Sequence, residues 1–218
     1  MTAIRELVDG RRLIVCVGTG GVGKTTVSAA IALAAARRGR RVMVLTIDPA
    51  RALARALGLS ALSHDGEPVP VAALAAAGLS LRGSLDAGML DQKHAWDGFV
   101  RRHAPPEAAA AMIGNPFYHA LSTSFSGSAE YMAVEETCRL ADSGRYDLVV
   151  LDTPPATHAL DFLSAPARLA PLLERGVVAA LARPAAIAGT LGRFVLRRME
   201  HATGASTLRD LSAFFVAA

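Results

Sequence analysis

Apolar residues recur along this chain in two rhythms. Uninterrupted runs rich in β-branched side chains read as buried strands: "RRLIVCV", which ends at Gly18, "RVMVLTID", the weaker "LSLRGSLDA", and "RYDLVVLDTPP", which runs into two prolines. Between them, apolar positions return at helical spacing. From Lys24 to Arg38 the repeat Val27, Ile31, Ala34 marks one face, arginines fill the last turn and Gly39 stops it. "PARALARALG", "MLDQKHAWDGFVRRHA" and "SAEYMAVEETCRLADSG" carry the same spacing, and further helical patterns follow Pro166. Strands alternating with helices predict an α/β fold with a doubly wound, mainly parallel sheet covered on both faces. The stretch from Ala104 to Gly127 is longer than a plain crossover needs. It predicts a helical insertion, over about 86–143, within a single domain spanning residues 1–218.

Composition narrows the class. At 52% hydrophobic, 218 residues can bury a sizeable core, and the abundance of alanine favours helices. The net charge of +4 comes from scattered arginines with no basic run interleaved with aromatics, so solvated helix faces are the reading and no nucleic acid is expected. The N-terminal MTAIRELVDG lacks the apolar centre of a signal peptide. "GVVAALARPAAIAGTLG", from Gly176 to Gly192, carries Arg183 and Pro184 and falls short of the ~20 residues that cross a bilayer, which predicts a buried or groove-lining helix. Cys16 and Cys138 make neither a metal pattern nor a disulfide framework, and a reducing compartment, the cytoplasm, is expected.

The chemistry concentrates where the first strand meets the first long helix. Gly18 to Thr25 spells GTGGVGKT, which fits G-x-x-x-x-G-K-[ST] at every fixed position, with a strand before it and an amphipathic helix after it. Glycines let the backbone curl so that N–H groups point at an anion, and the helix dipole aims at the same spot. The candidate phosphate cradle runs through Gly18, Thr19, Gly20, Gly21, Val22, Gly23, Lys24, Thr25 and Thr26. Lys24 is one of two lysines in a chain that otherwise uses arginine, and a compact ammonium suits the β- and γ-phosphates. The Thr25 hydroxyl is a ligand for Mg²⁺. The structural alternative is a glycine turn that only joins strand to helix. Such a loop needs two acidic positions at the carboxyl ends of parallel strands. Asp152, after "LVVL", is the candidate for the Mg²⁺ shell, with a helix or turn cap as its alternative. Asp48, closing "LTID", is the candidate that orients the attacking water; it also reads as an N-cap for the helix after Pro49, and the two roles are compatible.

Three segments, GTGGVGKTT, TIDPARALARALG and DTPPATHALDFLSAP, resemble the ArsA family of P-loop ATPases, in the wider deviant-Walker-A group with the MinD and ParA proteins. The resemblance covers most of Arg11 to Leu172. The phosphate loop is shared with many NTPases. DTPPATHALDFL, similar to the family's D-T-A-P-T-G-H-T-L-R-F-L, is more specific. The resemblance implies a P-loop NTPase fold, ATP and Mg²⁺ as cofactors, and hydrolysis to ADP and phosphate. It implies a homodimer, or a heterodimer with a related ATPase subunit, whose faces close over the nucleotides. It also implies an output through a helical subdomain to a hydrophobic client or a membrane-protein partner. It puts Gly20, Gly21, Gly23, Lys24, Thr25 and Thr26 at the phosphates, Asp48 in the first switch as the residue that activates water, and Asp152 in the second switch. His158 falls in that second switch and reads also as a surface or cap histidine. Met89, Met112 and Met132 either line a client groove or belong to the core. The alternative function is a ParA- or MinD-like positioning ATPase on DNA or a membrane surface, for which "GRFVLRRMEHATG" is a weak basic helix.

The sequence departs from the family pattern in three places. Thr19 stands where the family's signature lysine opens K-G-G-x-G-K-T. Cys16 and Cys138 do not match the family's arsenite-binding cysteines, and the zinc-binding C-x-x-C is missing, so neither an arsenite nor a zinc site is expected. The chain ends on LSAFFVAA with only four strands visible, so the C-terminal part of the family domain, with its adenine-binding segments, is expected to be absent.

Overall fold

Val42 to Leu45 and Leu148 to Leu151 are at most 1% exposed, so two neighbouring strands are covered on both faces, as their unbroken apolar runs require. The computed structural model describes residues 2–48, 52–64, 66–76, 78–115, 118, 119, 122, 123 and 128–154. His158, the Gly176–Gly192 stretch, "GRFVLRRMEHATG" and the helical patterns after Pro166 lie outside them. Among the described residues the strands are β1 (Leu13–Cys16), β2 (Arg41–Thr46), β3 (Glu67–Pro68), β4 (Ser84–Met89) and β5 (Leu148–Asp152). They form one sheet in the order β1-β5-β2-β4-β3, parallel throughout except where β3 runs antiparallel to β4. The register places Cys16 and Thr46 on either side of Asp152, so the carboxyl ends of β1, β5 and β2 finish side by side.

Among the described residues the helices are α1 (Thr2–Gly10), α2 (Lys24–Arg37), α3 (Ala52–Ala56), α4 (Val71–Ala76), α5 (Gln92–His103), α6 (Pro106–Ile113) and α7 (Ser128–Asp142). The chain divides into two compact units. One contains the sheet with α1–α4; the other contains, among the described residues, Gln92–Met132. Within the second unit, Trp96 stacks on Tyr131 at 5.9 Å between ring centroids, Phe99 meets Trp96 edge-on at 6.0 Å, and the buried Tyr118 donates its hydroxyl to Asp97 at 2.8 Å. Met112 and Met132 are buried core residues, and Met89 sits half-buried in β4. No helix among the described residues is long and apolar enough to cross a membrane.

Three expectations change. The face that α2 buries is Ser28, Ala29, Ala32, Ala35 and Ala36, whereas Val27 is 51% exposed and Ile31 and Ala34 are half-buried. The helix is apolar on nearly every side, so spacing alone leaves the stripe undetermined, and small side chains win because they let the helix axis approach the sheet. A fifth strand, β3, escapes the apolar rhythm because it is two exposed residues, one of them a proline tolerated at the sheet edge. The third predicted strand starts later, at Ser84, and runs to Met89, so the helical stretch expected from about residue 86 begins at Gln92. Gly83 explains the shift: a Cβ there would lie 2.1 Å from the Arg40 carbonyl oxygen, and the chain enters the sheet only after this close approach. Leu79 and Leu81 pack against the core from the preceding loop.

Candidate functional site

The loop between β1 and α2 owes its shape to two glycines. Gly21 and Gly23 have φ of 76° and 85°, in the left-handed region that a side chain disfavours. Gly23 caps α2 without a side chain, which leaves the first-turn amides open to an anion. Lys24 folds back over the loop and donates Nζ to the Thr19 carbonyl at 2.8 Å. A cavity of about 270 Å³ opens here, lined by Gly21, Gly23, Lys24, Thr25, Asp48 and Thr153.

Behind the cavity stands Asp152, the last residue of β5 and 1% exposed. Its Oδ2 accepts the Thr25 hydroxyl at 2.8 Å and the Thr46 hydroxyl at 3.3 Å, and its Oδ1 accepts Ser28 Oγ at 3.1 Å. Three hydroxyls thus converge on a buried carboxylate that has no ion-pair partner among the described residues. A buried carboxylate of this kind is costly without a compensating charge nearby. The donor set, a threonine hydroxyl touching a carboxylate with oxygen ligands only, fits a hard divalent cation such as Mg²⁺, which takes one or two protein oxygens and completes its shell with phosphates and water. Among the described residues no group of three acidic, histidine or cysteine side chains could hold a metal unaided.

Asp48 is half-buried on the cavity wall, two residues beyond β2, and its backbone N–H donates to Thr46 Oγ1 at 3.1 Å. Its cap alternative concerns residues 49–51, outside the described residues. Thr153 ties β5 to β1 at the mouth of the loop: its N–H and its hydroxyl both donate to the Cys16 carbonyl, at 3.3 Å and 2.7 Å. Burial pushes the Cys16 thiol above its ordinary value; a hydrogen bond with Ser28 opposes this and the Asp152 carboxylate adds to it. Cys138 is exposed on α7, and burial followed by Asp142 and Glu135 raises its thiol too. Neither residue is a ready thiolate.

The structure therefore brings Gly21, Gly23, Lys24, Thr25 and Asp48 onto one cavity and Asp152 directly behind Thr25. Gly18, Thr19, Gly20 and Val22 complete the loop without lining the cavity, and Thr26 is exposed on the first turn of α2. Sequence reasoning missed Ser28, Thr46 and Thr153. The available signals were a serine one turn after Lys24 in an otherwise alanine-rich face, a threonine ending a buried strand, and a threonine beside the strand-end aspartate.

The sequence profile of the anion-transporting ATPase family matches residues 11–203. ATPase GET3 of Malassezia globosa is 30% identical over 174 residues, which are 79% of this chain and 48% of that protein. ATPase ARSA2 of Chlamydomonas reinhardtii is 28% identical over 210 residues, 87% of this chain and 47% of that protein. A putative arsenical pump-driving ATPase of Prosthecochloris vibrioformis is 30% identical over 155 residues, covering 71% and 36%. The chain spans about half the length of the first of these curated relatives.

Proposed function

The chain belongs to the ArsA family of anion-transporting ATPases, and from that premise we propose that it binds ATP and hydrolyses it to ADP and phosphate as a nucleotide-dependent switch. The observation that carries this reading is the convergence at one end of the sheet: an open helix N-terminus, Lys24, the Thr25–Asp152 pair and Asp48 meet at a single cavity. In this reading the loop from Gly18 to Gly23 and the amides of Lys24, Thr25 and Thr26 hold the phosphates. Lys24 leaves the Thr19 carbonyl for the β- and γ-phosphates. Thr25 and Asp152 hold Mg²⁺, which when bound neutralises phosphate charge. Asp48, which lines the same cavity, orients the attacking water.

The finer reading is that residues 1–218 act as one ATPase domain in the cytoplasm, as a homodimer or paired with a related ATPase subunit. Nucleotide state then passes through the helical subdomain to a hydrophobic client or membrane-protein partner. Thr19 shapes this reading. In the family that the chain resembles, a lysine at that position serves the partner's nucleotide, and an exposed threonine supplies no such charge. A homodimer would then turn over slowly unless another cation, or a subunit with the full K-G-G-x-G-K-T loop, takes over.

The test is Asp48→Asn. Removing the base while keeping the shape should leave ATP binding intact by calorimetry and cut turnover by ~10²-fold or more. Wild-type turnover in this variant would reduce Asp48 to a structural residue, and a wild type that binds no ATP would end the proposal.

A further inference from the structure

Thr46 ends β2 at 2% exposure, between the two acidic positions of the site. Its backbone carbonyl accepts Leu90 N–H at 2.8 Å, which locks it to the adjoining strand. Its hydroxyl has two partners of different kinds. The Asp48 amide can only donate, so at 3.1 Å it occupies a lone pair of Oγ1. The single hydroxyl proton is thereby directed at the other partner, Asp152 Oδ2, at 3.3 Å. That same oxygen accepts the Thr25 hydroxyl. The direction of the whole chain is fixed, from the Asp48 amide through the Thr46 hydroxyl to the Asp152 carboxylate, and hydrogen bonds that end on a charge polarise those behind them.

We infer that Thr46 is a positioning residue that sets where Asp48 leaves the sheet according to the state of Asp152, joining the metal side of the site to its water side. The role rests on the proposed ATPase reading, whereas the hydrogen-bond chain does not. When charge is drawn from Asp152, the Thr46 hydroxyl and the Asp48 amide behind it respond, and Asp48 itself, which carries the water-orienting carboxylate, is held or released. A backbone tie of Ile47 N–H to the Asp152 carbonyl at 3.4 Å runs alongside.

Thr46→Val keeps the shape and removes both hydrogen bonds; Thr46→Ser keeps the hydroxyl; Thr46→Ala replaces the valine variant if that fails to fold. The measurements are kcat and KM for Mg·ATP, ATP affinity by calorimetry, and Asp48 amide exchange by NMR without nucleotide. The expected result for Thr46→Val is amide exchange about 10-fold faster and kcat about 10-fold lower, the scale of one charge-assisted hydrogen bond. ATP affinity should stay within about 2-fold, and Thr46→Ser should restore both losses. An unchanged kcat, a matching loss of ATP affinity, or a serine variant as poor as the valine one would overturn the inference. Unchanged Asp48 exchange in Thr46→Val, with an active wild type, overturns it while leaving the ATPase reading intact. A wild type that neither binds nor hydrolyses ATP sinks that reading and this role together.

Discussion

The two ends of the parallel sheet are built from opposite chemistry. At the amino end, arginines are paired off. Arg40 donates to the carbonyls of Val8, Arg11 and Asp147, gathering the exit of α1 and the entries of β1 and β5 around one guanidinium. Arg12 pairs with Asp142 at 3.2 Å, Arg38 with Asp9 and Arg41 with Asp147 at 2.7 Å. At the carboxyl end, Lys24 and Asp152 form no ion pair among the described residues. The ammonium rests on a carbonyl, and the carboxylate meets only hydroxyls. At the amino end, carboxylates and backbone carbonyls from separate segments gather on these arginines and tie the segments together. At the carboxyl end, Lys24 and Asp152 meet no opposite charge among the described residues beside an open cavity and stay available to a ligand, and open α/β sheets put ligands at this end. The same sheet thus carries its fastening at one end and its chemistry at the other.

The sharpest way to extend that division is to add a charge at the reactive end. Thr19 is exposed and contributes only its carbonyl to Lys24. Thr19→Lys should raise ATP turnover at least ~10-fold and make it steeply dependent on protein concentration, if a cation supplied in trans is what the loop lacks; such cations are worth ~10³–10⁵ in related NTPases. Stability should not move. A turnover unchanged by the lysine, in a chain whose wild type is already fast, would show that position 19 does not set the rate and would remove the case for a paired subunit.

The next largest effect should come from the other end, and on stability alone. Arg40→Ala leaves three carbonyls to find water at the rim of the sheet. The expected cost is about 1–2 kcal/mol, read as a drop in Tm of a few degrees, about 2–4 °C per kcal/mol for a chain of this size. Arg40→Lys should recover part of it, since an ammonium cannot fork across three acceptors. ATP turnover at 25 °C should stay within about 2-fold of wild type. Lost turnover in a still-folded Arg40→Ala protein would mean that the two ends are not separable.

The contrast also explains what the sequence made legible. The carboxyl end announces itself because its chemistry is local: GTGGVGKT must be contiguous to curl around a phosphate, and Asp48 and Asp152 close apolar strands that any reading of periodicity finds. Ser28, Thr46 and Thr153 stay hidden because each is defined by a partner far along the chain, 106 residues in the case of Thr46 and Asp152. The amino end is silent for the same reason. An arginine at position 40 looks like one more solvated helix-end charge until the fold brings Asp147 and Val8 to it. The alanine face of α2 fails differently: the helix is apolar all round, and only packing against the sheet selects Ala32 and Ala35 over Val27 and Ile31.

The smallest effect should be a dependence on pH at the amino end. The Asp147 carboxyl lies well below its ordinary 3.8, at about 2, first because the Arg41 guanidinium hydrogen-bonds it and then because the Arg41 amide does so as well. A carboxyl with a lowered folded-state pKa adds stability that is complete above about 3.8 and disappears as pH falls through about 2. The pair is open to solvent, with 52% and 37% of the two side chains exposed, so screening keeps the contribution small. Asp147→Asn should therefore be slightly less stable than wild type in urea unfolding at pH 7. The gap should stay constant down to about pH 4, narrow between about 4 and 2, and close below that. High salt should shrink it at every pH, because an exposed pair is screened within a Debye length. A gap that persists in full well below pH 2 would mean that Asp147 acts through the geometry of its bond to the Arg41 amide rather than through charge. Arg41 would then fasten the amino end by shape, and the charge pairing that contrasts with the carboxyl end would rest on Arg12–Asp142 and Arg38–Asp9.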